Sequence, residues 1–535
     1  MSEILRWPMF DAVIIGAGHN GLVCGAYLAR AGYRVCVLEK RALIGGACVT
    51  EEVWPGYRVS TASYTMGLLQ PKVILDLDLP KYGFQPLKTP PPYFPLQGGR
   101  HFVMWDEPER VQSEIARFSA RDADAYPRYK EYLARLAPIL RRLLFETPVD
   151  PGSGKFLDLL AAGRFVWRYR DAGPYLYDIY DLMTLSAYDL LSRWFESEDV
   201  KMIIGFFAGA GGGNSSIKSP GSAYMLVRGS VRDSSTPAGP IGLISGGMGA
   251  ISQAIARSGQ AHGMEIRTDA EVSRILVHRG KTDGVALVSG EEVRAKVVIA
   301  NASARTTFTR LLKPQDLPAT FLDRIKSLRC EATVFRINLA LDGLPSVPGF
   351  PADLGFDYPV QLSIGSSLDY MEQAYDGVRY GQMAARPFLI VKTPSVVDPT
   401  LAPAGKHVMN IFGGHAPYSL RQGSWDERRE ELFAATMGVM RDYMPDLESR
   451  ILHRQILSPL DLERIFDLPR GHPHHAEISA DQIFFKRPAP HYADYRTPIQ
   501  NLYQCGASTH PGGGVTGVPG HNAARVILGD RRRWA

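Results

Sequence analysis

From Phe10 the chain reads FDAVIIGAGHNGLVCGAYLARAGYRVCVLEK, and this run constrains the fold more than any other. Residues 12–15 are apolar and rich in β-branched side chains, as in a buried parallel strand. Gly16, Gly18 and Gly21 follow at G-x-G-x-x-G spacing. Leu22, Ala26, Leu28 and Ala29 then mark an apolar helical stripe, and residues 34–38 form a second strand-like run. Gly16 permits the tight turn, Gly18 lets backbone approach a pyrophosphate, and Gly21 lets the helix lie close to the sheet. Free N–H groups at the helix start favour phosphate. Glu39, eighteen residues past Gly21, can accept hydrogen bonds from a ribose diol and would repel a 2′-phosphate. The glycines alone are a weak signal. With both strands, the helix and the acid in place, they specify a dinucleotide-binding unit and argue against NADP.

At 535 residues the chain is long enough for two or more domains. Apolar residues make up 45% and charged residues 21%, which fits an α/β or α+β globular enzyme. The net charge of +5 is a mild bias toward an anionic cofactor, an anionic substrate or an acidic membrane surface. No basic tail, long basic run or zinc-finger spacing supports nucleic acid as a partner. The five cysteines, Cys24, Cys36, Cys48, Cys330 and Cys505, form no C-x-x-C pair and no zinc set, and a reducing compartment suits them. Residues 1–10 do not read as a long transit peptide, and no run of 18 apolar residues occurs. A cytoplasmic protein is expected, with peripheral membrane contact and homo-oligomerisation left open.

Beyond Glu39 the chain continues KRALIGGACVTEE, placing Gly45 and Gly46 shortly after the acid, with Lys40, Arg41 and Ala47 beside them. Residues 56–70 mix small, polar and aromatic side chains, Tyr64 among them. Gly98 and Gly99 read as a hairpin turn that could open a substrate-side sheet. Residues 109–204 carry helical periodicity. An amphipathic helix against a core is the default reading there, and a membrane-facing one the sharper alternative. Residues 202–216 could line a cavity, with Asn214 and Lys218 as weak polar candidates. Gly246, Gly247 and Gly249 precede a helix, followed by strands that reach Val272 and, further on, Ala300 and Asn301. His472, His474 and His475 lack partners at diagnostic spacing, so a polar loop is expected rather than a metal site. The closing stretch NLYQCGASTHPGGGVTGVPGHNAARVIL gives a strand, then Gly506 and Ala507. A glycine-rich loop containing Gly514 follows, and Gly517 and Gly520, with Val518 between them, precede a final helix.

These three segments, residues 11–50, 240–301 and 501–528, resemble the FAD-binding segments of the phytoene-desaturase-like branch of the amine-oxidase superfamily. The resemblance spans nearly the whole chain. It extends to a subgroup whose name implies a redox disulfide, for which this sequence has no adjacent cysteine pair. It implies a Rossmann-like α/β FAD-binding domain of the GR2 type and a second, mixed substrate-binding domain. The FAD domain would be assembled from residues 1–75, 239–310 and 496–535, and the substrate region from 76–238 and 311–495. It further implies that Gly16, Gly18, Gly21, Glu39, Lys40, Gly45, Gly46, Ala47, Val272, Ala300, Asn301, Gly506, Ala507, Gly514, Gly517, Val518 and Gly520 surround the cofactor. Those families often carry Arg directly after the paired glycines. Ala47 stands there instead, so phosphate neutralisation must differ, with Arg41 as a candidate. The expected activity is oxidation of an apolar, polyene or lipid-like small molecule, at a mitochondrial address if the chain is eukaryotic. His510, at the start of the glycine loop, and Tyr64 are the catalytic or substrate-contact candidates, and His521 is expected to belong to the helix start and to steady the cofactor. A flavin-bound regulatory protein and a non-redox flavin isomerase are the alternatives.

Overall fold

The computed structural model describes residues 9–211, 216–228, 242–365 and 367–531. Asn214 lies outside them.

Among the described residues, two seven-stranded sheets organise the chain. The first is centred on the strand Phe10–Ile15, which pairs in parallel with Val35–Leu38 on one side and Glu292–Ala300 on the other. Glu265–Arg267 extends the sheet beyond Val35–Leu38, and Leu502–Gln504 adds in parallel to Glu292–Ala300. An antiparallel meander, Val272–His278 and Lys281–Leu287, completes it. The apolar runs of Phe10–Ile15 and Val35–Leu38 are buried nearly throughout, as parallel strands covered on both faces must be. The helices His19–Arg30, Gly249–Gln260 and Val518–Gly529 share one apolar core with these strands. Thus the beginning, middle and end of the chain meet on one sheet, and a site at its strand ends draws on all three.

The second sheet runs in the order Ile451–Leu457, Val334–Leu341, His407–Gly414, Phe388–Lys392, Gln361–Ile364, Tyr93–Pro95 and His101–Val103. The Gly98–Gly99 turn joins its last two strands, with φ of +72° and +73°, so the expected hairpin opens this sheet. Alternation along the strands separates its faces. Phe335, Ile337, Leu339, Met409, Ile411, Leu389 and Val391 pack onto the helix Trp425–Met440 through Trp425, Phe433 and Met437. The opposite face carries Arg336, Asn338, Asn410, Phe412, Ile390, Lys392 and Gln361, by cross-strand register. Every residue of Val334–Leu341 is buried, so this polar face is also interior.

Residues 109–204 are largely helical, as their periodicity predicts. The helices Pro108–Ala116, Ala120–Leu144, Ala187–Ser192 and Glu198–Gly211 share one apolar core with Phe94 and Phe102, to which the last contributes Phe206. The helix Phe156–Arg168 differs: it has no buried residue, and Phe156, Leu157, Val166 and Trp167 are each about 70% exposed or more. No helix of the described residues is long and apolar enough to cross a membrane. Gly520 lies inside the first turn of Val518–Gly529 rather than before it, because Gly517, at φ +73°, is the residue that turns the chain into the helix.

Candidate functional site

One cavity of about 850 Å3 runs from the end of the first sheet to the polar face of the second. Its floor is two glycine loops laid against each other. Gly16 N–H donates to Leu38 O at 2.7 Å and Gly45 N–H to Ala17 O at 2.8 Å. Side chains are excluded here: a Cβ on Gly46 would stand 3.2 Å from Gly18 Cα, and one on Gly18 would stand 2.8 Å from Asn301 Nδ2. Asn301 Nδ2 in turn donates to Gly16 O at 3.2 Å, fixing the turn from the neighbouring strand. The loop of Gly246, Gly247 and Gly249 braces this floor from behind. Met248 N–H donates to Ser60 Oγ at 3.0 Å, Gly249 N–H to Thr50 Oγ1 at 2.9 Å, and Ser252 Oγ to Cys48 O at 2.7 Å.

Glu39 is buried at the cavity edge. Its Oε2 accepts from Ala17 N–H at 2.8 Å and its Oε1 from Arg41 N–H at 3.1 Å. Each carboxylate oxygen keeps a further lone pair, so the group can still accept from a diol. Arg41 pairs with Glu51 and lies over the Phe466 ring, and its Nη1 is buried without a hydrogen-bond partner. A buried guanidinium nitrogen left without an acceptor beside a glycine cradle suits an anionic ligand. These features fit a dinucleotide pyrophosphate and ribose.

Of the residues expected around the cofactor, Gly16, Gly18, Glu39, Lys40, Gly45, Gly46, Ala47, Val272, Asn301, Ala507 and Gly514 line this cavity, and so does Tyr64. The others stand behind it. Gly21 packs against the turn, where a Cβ would meet Gly16 O at 2.4 Å. Gly506 packs on Asn301, Gly517 on Val73, and Gly520 on Asn20 of the first helix. Ala300 and Val518 are buried side chains off the cavity. Lys218 is exposed and also outside it.

His510 stands outside the cavity as well. Its Nε2 lies 2.8 Å from Leu143 O, its ring packs edge-on to Phe484, and burial pulls the imidazole down to about 4. The glycine loop that follows carries the chain back to the cavity, while His510 itself faces the long helix Ala120–Leu144. His521 belongs to the first turn of the last helix as expected, but it lies off the cavity: it hydrogen-bonds Asn522 and packs between Tyr27 and Phe145, so its contacts are with the protein's own helices.

Three other histidines reach the cavity that His510 does not. His19, His474 and His475 all line the cavity. His19 Nε2 lies 3.2 Å from Gly514 O, joining the first helix to the C-terminal loop. Burial pulls His19 down to about 4 and His475 to about 3, so both are neutral at physiological pH. The loop that carries His474 and His475 is clamped by Arg487. This fully buried guanidinium donates to the carbonyls of His474 at 2.6 Å, Ala507 at 2.9 Å, Glu477 at 3.1 Å and Gln482 at 3.3 Å. Among the described residues no cluster of His, Cys, Asp and Glu could hold a metal.

The far wall is built by the second sheet and the helix Glu198–Gly211. Met104, Ile203, Ile204, Phe207, Ile390 and Phe412 make it apolar. Behind it, reached through Tyr64 of the lining, stands a fixed polar array. Tyr64 Oη donates to Asn338 Oδ1 at 2.8 Å, Asn410 Nδ2 donates to the same oxygen at 2.8 Å, and Asn338 Nδ2 donates to Gln455 at 2.8 Å. Burial pushes the Tyr64 phenol well above its ordinary range, so it keeps its proton. Arg336 lies 4.1 Å over the Phe412 ring and donates through Nε to Ala62 O at 2.9 Å. Arg336 and Lys392 are not among the residues foreseen from sequence. A signal for the first was there: Arg336 and Asn338 interrupt an otherwise apolar strand two residues apart, on one face.

The fold and this cavity define a flavin-dependent redox enzyme of the amine-oxidase superfamily. The model for the family described as "Flavin containing amine oxidoreductase" matches residues 21–528, and the chain belongs to that family. It is 39% identical to "Pyridine nucleotide-disulfide oxidoreductase domain-containing protein 2" of Rattus norvegicus, over 98% of this chain and 94% of that protein. It is also similar to a limonene dehydrogenase subunit of Castellaniella defragrans, at 28% identity over 99% of this chain and 96% of the other. More distant is the neurosporene-forming phytoene desaturase of Cereibacter sphaeroides, at 25% identity over 95% and 92%. A solved oxidoreductase structure from Methanosarcina mazei shares the fold, with a TM-score of 0.58 and 18% identity over 97% of this chain and 99% of that one. The rat protein's name mentions a disulfide. In this chain all five cysteines are free and buried, and of these only Cys48 lines the cavity.

Proposed function

We propose that the chain binds FAD in this cavity and oxidises an apolar, lipid-like small molecule by hydride transfer to the flavin. The carrying observation is continuity: one cavity joins the Gly18–Gly45 cradle and Glu39 to the apolar wall of Ile203, Phe207, Ile390 and Phe412. The sequence similarity to a phytoene desaturase and to a limonene dehydrogenase supports an apolar substrate. FAD, when bound, supplies the two-electron acceptor.

The chain's own residues do the rest. Glu39 holds the ribose, Arg41 offers charge to the phosphates, and Asn301 fixes the turn between them. The apolar wall excludes water and orients a carbon skeleton. Tyr64, whose proton is committed to Asn338, acts as a positioning residue that sets the Asn338–Asn410 array. Anaerobic addition of polyenes, terpenes and acyl compounds to the purified holoprotein tests this reading. At least one class is expected to bleach the flavin's visible absorbance. A flavin that dithionite reduces but no such compound does would favour a regulatory or isomerase role.

Substrates of this kind partition into membranes, and the exposed apolar helix Phe156–Arg168 gives the chain a means of reaching them. Arg164 and Arg168 lie on it and Lys155 and Arg170 flank it, against the single acid Asp158 within it and Glu146 paired to Arg168, a net basic balance suited to an anionic interface. The wild-type protein is expected to pellet with phosphatidylserine-containing vesicles. The variant Phe156→Asp/Trp167→Asp should lose most of that pelleting while keeping its flavin. Should the pair of substitutions instead convert a dimer to a monomer in light scattering, with no vesicle binding by either form, the helix is a subunit interface.

A further inference from the structure

Lys392 ends the strand Phe388–Lys392 on the polar face of the second sheet and lines the cavity. It is only 4% exposed, and among the described residues its ammonium has no hydrogen-bond or ion-pair partner. Burial alone pulls it down to about 7. Arg336 shares the sheet face, is 6% exposed, and among the described residues meets only backbone carbonyls and the rings of Phe412 and Tyr64. The two residues lie two strands and two register positions apart. That puts their Cα atoms about 12 Å apart, with two long side chains on one face to span the gap.

Two buried cations without a counter-charge are costly to keep. The described acids of the cavity do not serve them. Glu39 and Glu271 flank the dinucleotide end, and Asp467 accepts from Thr306 and faces Lys40. Nor do the phosphates of a dinucleotide, whose place is the glycine cradle beside Arg41. Gln361, register partner of Lys392, adds a buried amide to the same corner. The surrounding wall, Phe412, Ile390 and Phe207, is apolar.

We propose that Lys392 and Arg336 form a carboxylate-binding end to the substrate cavity, so that the substrate is an apolar chain or ring system carrying one carboxylate. This rests on the apolar-oxidation reading and narrows it: an uncharged hydrocarbon offers neither cation a counter-charge. Recognition is an ion pair to Lys392 Nζ and a charge-assisted bond from the Arg336 guanidinium, with no covalent step.

The test compares geranic, palmitic and retinoic acids with their methyl esters, each titrated into the holoprotein while the flavin absorbance is followed. At least one acid is expected to bind roughly tenfold to a hundredfold tighter than its ester, the range for a charge-assisted bond in a buried site. Lys392→Met should cut that preference at least about fivefold by weakening the acid and leaving the ester unchanged, the remainder resting on Arg336. Lys392→Arg should retain part of it. Flavin content, measured for each variant, reports folding, and the wild-type acid-to-ester ratio is independent of any variant. Esters or hydrocarbons that bind as well as the acids, or a preference undiminished in Lys392→Met, would overturn the carboxylate site while leaving the apolar-substrate reading standing. If neither acids, esters nor hydrocarbons perturb or bleach the flavin, both readings fail.

Discussion

Gly21→Val is expected to yield protein without flavin and destabilised by about 3 kcal/mol or more, the upper range for overpacking a close contact. The added Cβ alone would stand 2.4 Å from Gly16 O and 3.0 Å from Asn301 Cβ. Gly16 belongs to the turn that forms the cavity floor and is met at its backbone, and Asn301 is the residue that fixes that turn from the neighbouring strand. The helix His19–Arg30 must therefore move off the sheet, taking its N-terminus and His19 away from the cradle. Gly32→Ala is the control, because nothing lies within 4 Å of a Cβ there. Its positive φ of +88° costs only local strain, so flavin should be retained. Flavin-to-protein absorbance ratio and thermal unfolding together check the pair.

Arg487→Met is expected to be the other severe change. The guanidinium is fully buried and holds the carbonyls of His474, Ala507, Glu477 and Gln482. Removing it leaves several buried acceptors unmet at about 1–3 kcal/mol each, so a loss above about 4 kcal/mol is expected. The damage falls on the loop bearing His474 and His475 and on Ala507, all of which line the cavity. Limited proteolysis should cut that loop in the variant and spare it in the wild type. A variant that resists cleavage and melts with the wild type would show that the loop is held by other contacts.

Much of the cofactor end was legible in the sequence because local chemistry dictates it. A glycine that must turn a strand into a helix, and an acid at the end of the next strand, sit at fixed spacing whatever else the chain does. The same holds for Gly45 and Gly46, whose φ of +118° and +58° few other residues adopt. The interior of the second sheet was not legible. Arg336, Phe412, Ile390 and Lys392 come from three strands separated by long connections, and only the sheet register puts them on one face. His510 shows the reverse error. It is close in sequence to Gly514, yet the Thr509–Gly512 turn sends its ring to Leu143 while His474 and His475 reach the cavity from a separate loop. Sequence proximity to a cofactor loop is thus a weaker guide than the direction in which a turn sends each side chain.

Identification of the cofactor in the purified chain bears most directly on all of this. After incubation with excess FAD and removal of the unbound portion, the protein should show flavin absorbance, and denaturation should release about one FAD per chain. The Gly21→Val protein should release none. A folded wild-type chain that retains no flavin, or that retains FMN or a nicotinamide dinucleotide in its place, would contradict the assignment of this cavity to FAD.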